Sequence, residues 1–327
     1  MRVVIVTPAP PASHSGNRVT AERWAARLRE LGHEVEIASA WDGQACDVLV
    51  ALHARKSAAS VARFRAAWPR APVVVALTGT DLYTDLATGD LDARRALGLA
   101  DRLVVLQPLA IDAVPPEERH KVRVILQSCT RVAGAPRRDR DRFDVCVLAH
   151  LRPVKDPFRA AEAAGLLPSG SRLRIIHLGG IADPGLEERA RAEAAANRRW
   201  EWRGDRPREE ALRILASCRL LVSTSLQEGG ANAVSEAITH RVPVVASRIP
   251  GAVGLLGPDY PGYFPPGDTA ALAELLDRAE TDPGFYRTLG ARCARLAPGF
   301  APEHERAAWR RLVSELAPAP TDGAAIR

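Results

Sequence analysis

Residues 219–247 read RLLVSTSLQEGGANAVSEAITHRVPVVAS, and this stretch decides the fold. The Leu/Val run over 219–223 has the length of a buried strand. Ser223, Thr224 and Ser225 end it, Glu228-Gly229-Gly230 turn the chain, and a helix is expected over 232–240. A second apolar run over 242–246 is again a strand. Strands joined through a helix lie parallel, and apolar runs without alternation mean that both faces of the sheet are covered.

The same alternation continues on both sides. Upstream, strands are expected over 144–149, 173–178 and 200–202, with helices over 156–166, 184–196 and 207–216. Downstream come helices over 269–280, 283–296 and 302–316, the last carrying Trp309, Leu312 and Leu316. A separate series fills the N-terminal part: strands over 2–7, 34–38, 47–52, 73–77, 102–106 and 122–126, and helices over 18–31, 57–67 and 91–99. In the first of these helices Trp24, Ala25, Leu28 and Leu31 keep 3–4 spacing, and Gly32 follows as a C-cap. Between the two series, 129–143 (CTRVAGAPRRDRDRF) loses all periodicity and reads as an interdomain linker. The expected fold class is α/β, with two doubly wound, Rossmann-like domains over 1–128 and 144–300. The tail 317–327 is expected to be disordered. Ligands of such sheets bind at the carboxyl ends of the strands, which makes the cleft between the domains the natural site.

Composition agrees with a globular chain. Of 327 residues, 46% are apolar and 26% charged, which excludes a disordered or collagen-like protein. No apolar run is long enough to span a bilayer, and MRVVIVTPAPP is too short for a signal-peptide core, so the expected compartment is the cytoplasm. The five cysteines are scattered without a CxxC, which argues against a disulfide framework or a zinc site. The net charge of +6 first suggests nucleic acid. The basic residues form no uninterrupted run, however, and aromatics are only 5%, so small anionic substrates are the better match. Among 45 basic residues only three are lysines, Lys56, Lys121 and Lys155.

Four segments carry candidate chemistry. In EGGANAVSEA (228–237) the glycines admit a ligand close to the backbone, and the first N–H groups of the following helix suit a phosphate. Glu228 and Glu236 can accept sugar hydroxyls at two points along one extended ligand. HLRPVKDP (150–157) places Arg152 and Lys155 at a strand end, where fixed cations would stabilise a departing diphosphate. SHSGN (13–17) is the glycine turn of the first βα unit, and its Gly16 and Asn17 are candidates for the donor-binding side. ALHARKSAAS (51–60) groups His53, Arg55, Lys56 and Ser57 near a helix start, a setting suited to an anion.

In order along the chain, the strand–glycine loop–helix, Arg152-x-x-Lys155, LGG (178–180), WRGD (202–205) and Glu228-x7-Glu236 with its ITHRVPVVAS resemble the retaining GT-B glycosyltransferases of the family 4 type. The resemblance implies that Arg152 and Lys155 hold the diphosphate of a nucleotide sugar, helped by Gly229, Gly230, Ala231, Asn232 and Ala233. It implies Glu236 on the ribose, Glu228 on the donor sugar, and Arg203 and Gly204 near the base. The catalytic set would be Glu228, Arg152 and Lys155. The N-terminal domain would bind the acceptor, with the helix 302–316 packed back on it. One departure stands out: LTGTDLY (77–83) has Thr78 where many members have a histidine, and His53 is the candidate replacement. Together with ALHARKSAAS this segment is similar to a narrower group, the selenosugar synthases of selenoneine biosynthesis. That likeness implies transfer from a UDP-sugar, typically UDP-GlcNAc, to selenophosphate, with a selenophosphate synthase as a working partner. His53, Arg55, Lys56, Thr78, Gly79 and Thr80 would form the acceptor side. No metal or other cofactor is expected: Asp139/Asp141 sit in the linker and Asp90/Asp92 at a helix start, where carboxylates act as caps. The competing readings are transfer to another small acceptor and a non-catalytic nucleotide-sugar binder. A nicotinamide oxidoreductase is disfavoured by the lack of GxGxxG after either first strand.

Overall fold

The computed structural model describes residues 1–134, 139 and 141–316; the tail 317–327 and the middle of the linker lie outside the described residues. The first domain contains β1 (Arg2–Val6), α1 (Gly16–Glu30), β2 (Glu34–Ala38), β3 (Val48–Leu52), α2 (Ala54–Ala67), β4 (Val73–Leu77), α3 (Leu91–Leu99), β5 (Arg102–Val105) and β6 (Val122–Val124). The second contains β7 (Phe143–Leu148), α4 (Arg159–Gly165), β8 (Leu173–Leu178), α5 (Glu187–Ala196), β9 (Trp200–Trp202), α6 (Arg208–Ser217), β10 (Leu220–Ser223), α7 (Asn232–Thr239), β11 (Val244–Ser247), α8 (Pro250–Leu256), β12 (Tyr263–Phe264), α9 (Thr269–Thr281) and α10 (Pro283–Leu296). A last helix, α11 (Pro302–Leu316), follows.

Each domain has one six-stranded sheet, and every strand pair is parallel. The central strands β3 (VLVAL) and β4 (VVVAL) are buried at all five positions, because β-branched residues fit a pleated surface and helices cover both faces. The first sheet runs β2-β1-β3-β4-β5-β6 and the second β12-β11-β10-β7-β8-β9. The order therefore reverses between β1 and β3 in one domain and between β7 and β10 in the other, the switch points where loops part and leave a crevice.

The last helix returns to the first domain. Trp309, Leu312 and Leu316 bury themselves against α1, with the rings of Trp24 and Trp309 edge to face at 4.9 Å. Glu305 on the same helix is a buried carboxylate satisfied by three donors: Trp24 Nε1 (2.9 Å), Arg23 Nε (3.1 Å) and Ser128 Oγ (2.5 Å). Near its end, Glu315 takes Arg102 (2.8 Å) and Arg123 (2.7 Å), and these guanidiniums, Arg123 first, pull its carboxyl down to about 2.

Local differences from the sequence reading have physical causes. Helix α2 starts at Ala54, not at 57, because His53 caps it, its ring nitrogen accepting the Lys56 N–H. The helix expected over 156–166 is confined to Arg159–Gly165, since Asp156 has a left-handed backbone (φ 43°). The wide, π-helical turn Asp81–Asp85 and helix α8 have no counterpart in the sequence reading.

Candidate active site

The two switch points open into one cleft of about 500 Å³ between the domains. The loop after β1 contributes His14, Gly16 and Asn17, and that after β3 His53 and Lys56. Thr78, Gly79 and Thr80 follow β4. From the second domain come Arg152 and Lys155 after β7, and Glu228, Gly229, Gly230, Ala231, Asn232, Ala233 and Glu236 after β10. Residues far apart in the chain are thus brought together at one cleft.

Three expected residues are placed elsewhere. Arg55 and Lys56 are consecutive in the first turn of α2 and so point about 100° apart. Lys56 lines the cleft, whereas Arg55 turns to Asp85 at 3.0 Å. Arg203 binds Glu201 (2.7 Å) at the end of β9, and Gly204 (φ 68°) bends the chain so that the next residues, Asp205 and Arg206, reach the cleft. The base-side assignment of Arg203 and Gly204 is corrected accordingly.

The glycines do more than admit a ligand. A Cβ on Gly229 would lie 2.4 Å from the Thr78 carbonyl, and one on Gly230 would lie 2.4 Å from Leu106 Cβ. Both contacts are between domains, so the absent side chains are what let the two walls close on each other. Helix α7 then begins from Ala231 in a left-handed conformation (φ 33°) with no side-chain cap, directed at the cleft.

Charges are ordered in pairs. Lys155 Nζ lies 2.5 Å from Glu228 Oε1, which also accepts Ser225 Oγ at 2.7 Å. Buried Glu236 has Arg208 Nη1 at 2.5 Å. His14 Nδ1 meets Asp205 Oδ2 at 2.8 Å across the cleft. The His150 ring accepts the Gly180 N–H (3.0 Å) at Nδ1, so its protonated Nε2 donates to the His14 carbonyl (3.2 Å). Among the described residues, Lys56 and Arg152 have no carboxylate partner. Five cations, Lys56, Arg152, Lys155, Arg206 and Arg208, face three carboxylates, Asp205, Glu228 and Glu236, so the cleft favours an anion.

The acceptor-side wall is built around Asp81. Its buried carboxylate accepts the backbone N–H groups of Ala54 (3.0 Å), Thr78 (2.9 Å), Gly79 (2.8 Å) and Leu82 (3.1 Å), fixing the TGTD turn beside α2. Burial lowers the His53 pKa against the opposing pull of Asp81, keeping the imidazole neutral. Its Nδ1 accepts the Lys56 N–H at 3.5 Å, so Nε2 carries the proton and donates to Thr80 Oγ1 at 3.0 Å. The Thr80 hydroxyl is left to donate into the cleft.

The thiols take no part. Burial pushes Cys129 up to about 12 and Cys46 up to about 11, leaving both protonated. Asp90 caps α3 by accepting the Ala93 N–H (2.8 Å), and Asp139 accepts the Asp141 N–H (2.8 Å). Among the described residues no group of three His, Cys, Asp or Glu is arranged to hold a metal. No helix among them is long and apolar enough to cross a membrane.

Sequence reasoning missed His14, His150, Asp205, Arg206 and Arg208. A signal existed for Arg208: it is the first residue of α6, where the helix dipole disfavours a cation.

Residues 133–295 match the family described as glycosyl transferases group 1. The second domain is thereby a glycosyl transferases group 1 domain. Solved structures agree on the fold. HepE of Anabaena, determined with UDP and glucose, has a TM-score of 0.76 at 15% identity, over 96% of this chain and 100% of that one. Sucrose-phosphate synthase of Thermosynechococcus elongatus has a TM-score of 0.78 at 16% identity, over 96% and 98%. TarM of S. aureus, determined with UDP and alpha-GlcNAc-glycerol, has a TM-score of 0.65 at 15% identity, over 81% and 55%. The two facing domains are the GT-B arrangement.

Proposed function

We propose that the protein is a metal-independent glycosyltransferase that moves a sugar from a UDP-sugar to a small anionic nucleophile. UDP-GlcNAc is the first candidate donor and selenophosphate the first candidate acceptor, as the sequence resemblance implies. The glycosyl transferases group 1 domain and the UDP bound by HepE and TarM support a nucleotide-sugar donor. Arg152, Lys155 and the N-terminus of α7 converge where a diphosphate would sit, and they supply charge stabilisation without a divalent ion. In this reading a diphosphate draws Lys155 from Glu228 and leaves that carboxylate to the donor sugar.

One observation carries the acceptor class: the part of the N-terminal wall formed by α2 and the turn after β4 offers donors and no base, while the wall's other imidazole, His14, lies against Asp205 of the second domain (2.8 Å). Lys56 offers an ammonium and Thr80 a hydroxyl. Asp81 is consumed by backbone N–H groups, Asp85 by Arg55, and both ring nitrogens of His53 are engaged. A neutral alcohol needs a base to take its proton. An acceptor that arrives already ionised does not. The test is mass spectrometry of the purified protein with a panel of UDP-sugars, with selenophosphate, with neutral alcohol and sugar acceptors, and with no acceptor, in EDTA. A selenium-containing sugar formed from UDP-GlcNAc supports the reading. Turnover only with neutral acceptors sinks the acceptor class. Turnover only after magnesium or manganese is added sinks metal independence, and binding without turnover makes the protein a nucleotide-sugar binder.

A further inference from the structure

Arg208 has no role in the chemistry above, yet it shapes one end of the cleft. It stands at the first position of α6, half-exposed, with its guanidinium 2.5 Å from a Glu236 carboxylate that is 96% buried. A cation at a helix N-terminus opposes the helix dipole, so α6 would be better served by the carboxylates that follow, Glu209 and Glu210. The gain lies across the gap, on α7. An ionised carboxylate taken out of water without a counter-charge is strongly disfavoured, and the group protonates instead.

The other titratable groups around Glu236 do not replace Arg208. The Cys129 thiol from the linker and the Cys146 thiol from β7 stay protonated, their ionisation opposed by burial and, for Cys146, first by its hydrogen bond to Cys218. His240 lies on α7 itself; burial lowers its pKa, and its Nδ1 contacts the backbone carbonyl of Glu236 (2.7 Å), not the carboxylate. Arg23 on α1 is held by Glu305 (3.1 Å) and Asn232 (3.4 Å). Arg208 is therefore the counter-ion that Glu236 depends on.

Building on the nucleotide-sugar reading, we propose that Arg208 is a positioning residue: its charge holds the Glu236 carboxylate and keeps it aimed into the cleft, so that the carboxylate can accept a hydroxyl of the nucleotide's ribose. A protonated carboxyl would present one acceptor and one donor and hold the ribose less well.

The experiment is calorimetric titration of the full chain with UDP and with 2′,3′-dideoxy-UDP, from pH 6 to 8.5. Each variant's affinity is read against wild type at the same pH, which cancels the titration of the terminal phosphate of UDP. Arg208→Leu should bind UDP about a hundredfold more weakly at pH 6 and recover about tenfold by pH 8.5, as an unpaired Glu236 loses its proton. Arg208→Lys should restore affinity to within about threefold, because the charge returns. The dideoxy nucleotide should lose less than about threefold in Arg208→Leu, since it lacks a ribose hydroxyl for Glu236 to hold. An equal loss for both nucleotides, or a wild-type-to-variant affinity ratio that does not change with pH, overturns the proposal. A second arm needs no nucleotide: Glu236→Gln should raise the melting temperature of Arg208→Leu but lower that of wild type. If wild type binds no nucleoside diphosphate, the donor reading fails and ribose positioning with it, while this thermal cycle still decides whether Arg208 is the counter-ion. Additive thermal effects overturn that as well.

Discussion

Gly229→Ala adds one methyl group at the point where the two domains meet. Its Cβ would stand 2.4 Å from the carbonyl carbon and oxygen of Thr78 and 2.8 Å from the Gly79 nitrogen. Ordinary contact begins near 3.4 Å, so the walls must part by about 1 Å. The atoms met are backbone, and Gly79 itself is fixed at φ 139°, with three N–H groups of its loop and that of Ala54 on α2 tied to Asp81, so the loop cannot fold away. Overpacking of this kind costs about 1–3 kcal/mol. Here the cost falls on closure of the cleft, which corresponds to roughly a 5- to 150-fold fall in the closed population. Steady-state kinetics on the proposed donor and acceptor should show kcat/KM down about tenfold or more. Calorimetry should show UDP affinity within about threefold of wild type, because the charged groups assigned to the donor, Arg152, Lys155, Glu228 and Glu236, all lie on the second domain. Gly165→Ala is the control: it ends α4, and an added Cβ there meets nothing within 4 Å. Gly229→Ala with kcat/KM within threefold of wild type would refute the claim that catalysis needs this close approach of the two walls.

Other perturbations separate the two halves of the site. Arg152→Ala or Lys155→Ala removes a cation from the diphosphate position and should lower kcat/KM about a hundredfold, or about 2–3 kcal/mol, in a spectrophotometric UDP-release assay. Lys56→Ala and His53→Ala should raise the acceptor KM about tenfold while moving the UDP-sugar KM less than about threefold, a pair of constants measured in each variant. Glu315 has an ordinary value of 4.5 that Arg123 and Arg102 depress to about 2 in the fold, so its contribution is complete above pH 4.5 and fades as pH falls towards 2. Glu315→Gln should therefore melt about 2 °C below wild type at pH 7 by circular dichroism, with the gap closing in acid.

The parts legible in the sequence were those set by short-range pattern. Val and Ile runs such as β3 and β4 mark buried parallel strands without help from distant contacts, and their alternation with helices brought Arg152, Lys155, Glu228 and Glu236 to one cleft. What escaped depends on long-range bonding or on weak local preference. The turn at Asp81–Asp85 exists because one carboxylate gathers N–H groups from two loops, which no periodicity records. Helix α8, PGAVGLL, contains a proline and two glycines and is helical only through packing. The direction of Arg55 turned on three residues at the start of α2, and the capping by His53 that moved it leaves no pattern in sequence. The bridges from His14 to Asp205 and from Arg208 to Glu236 join segments that only the folded chain brings together.

The central claim is that the interdomain cleft holds a nucleotide sugar by its diphosphate and ribose. A crystal structure of the protein soaked with UDP tests it most directly. The account predicts the diphosphate against Arg152, Lys155 and the first turn of α7, with the ribose on Glu236 and Lys155 drawn off Glu228. A cleft that stays empty at saturating UDP, or a nucleotide bound with its diphosphate away from Arg152 and Lys155, would contradict it.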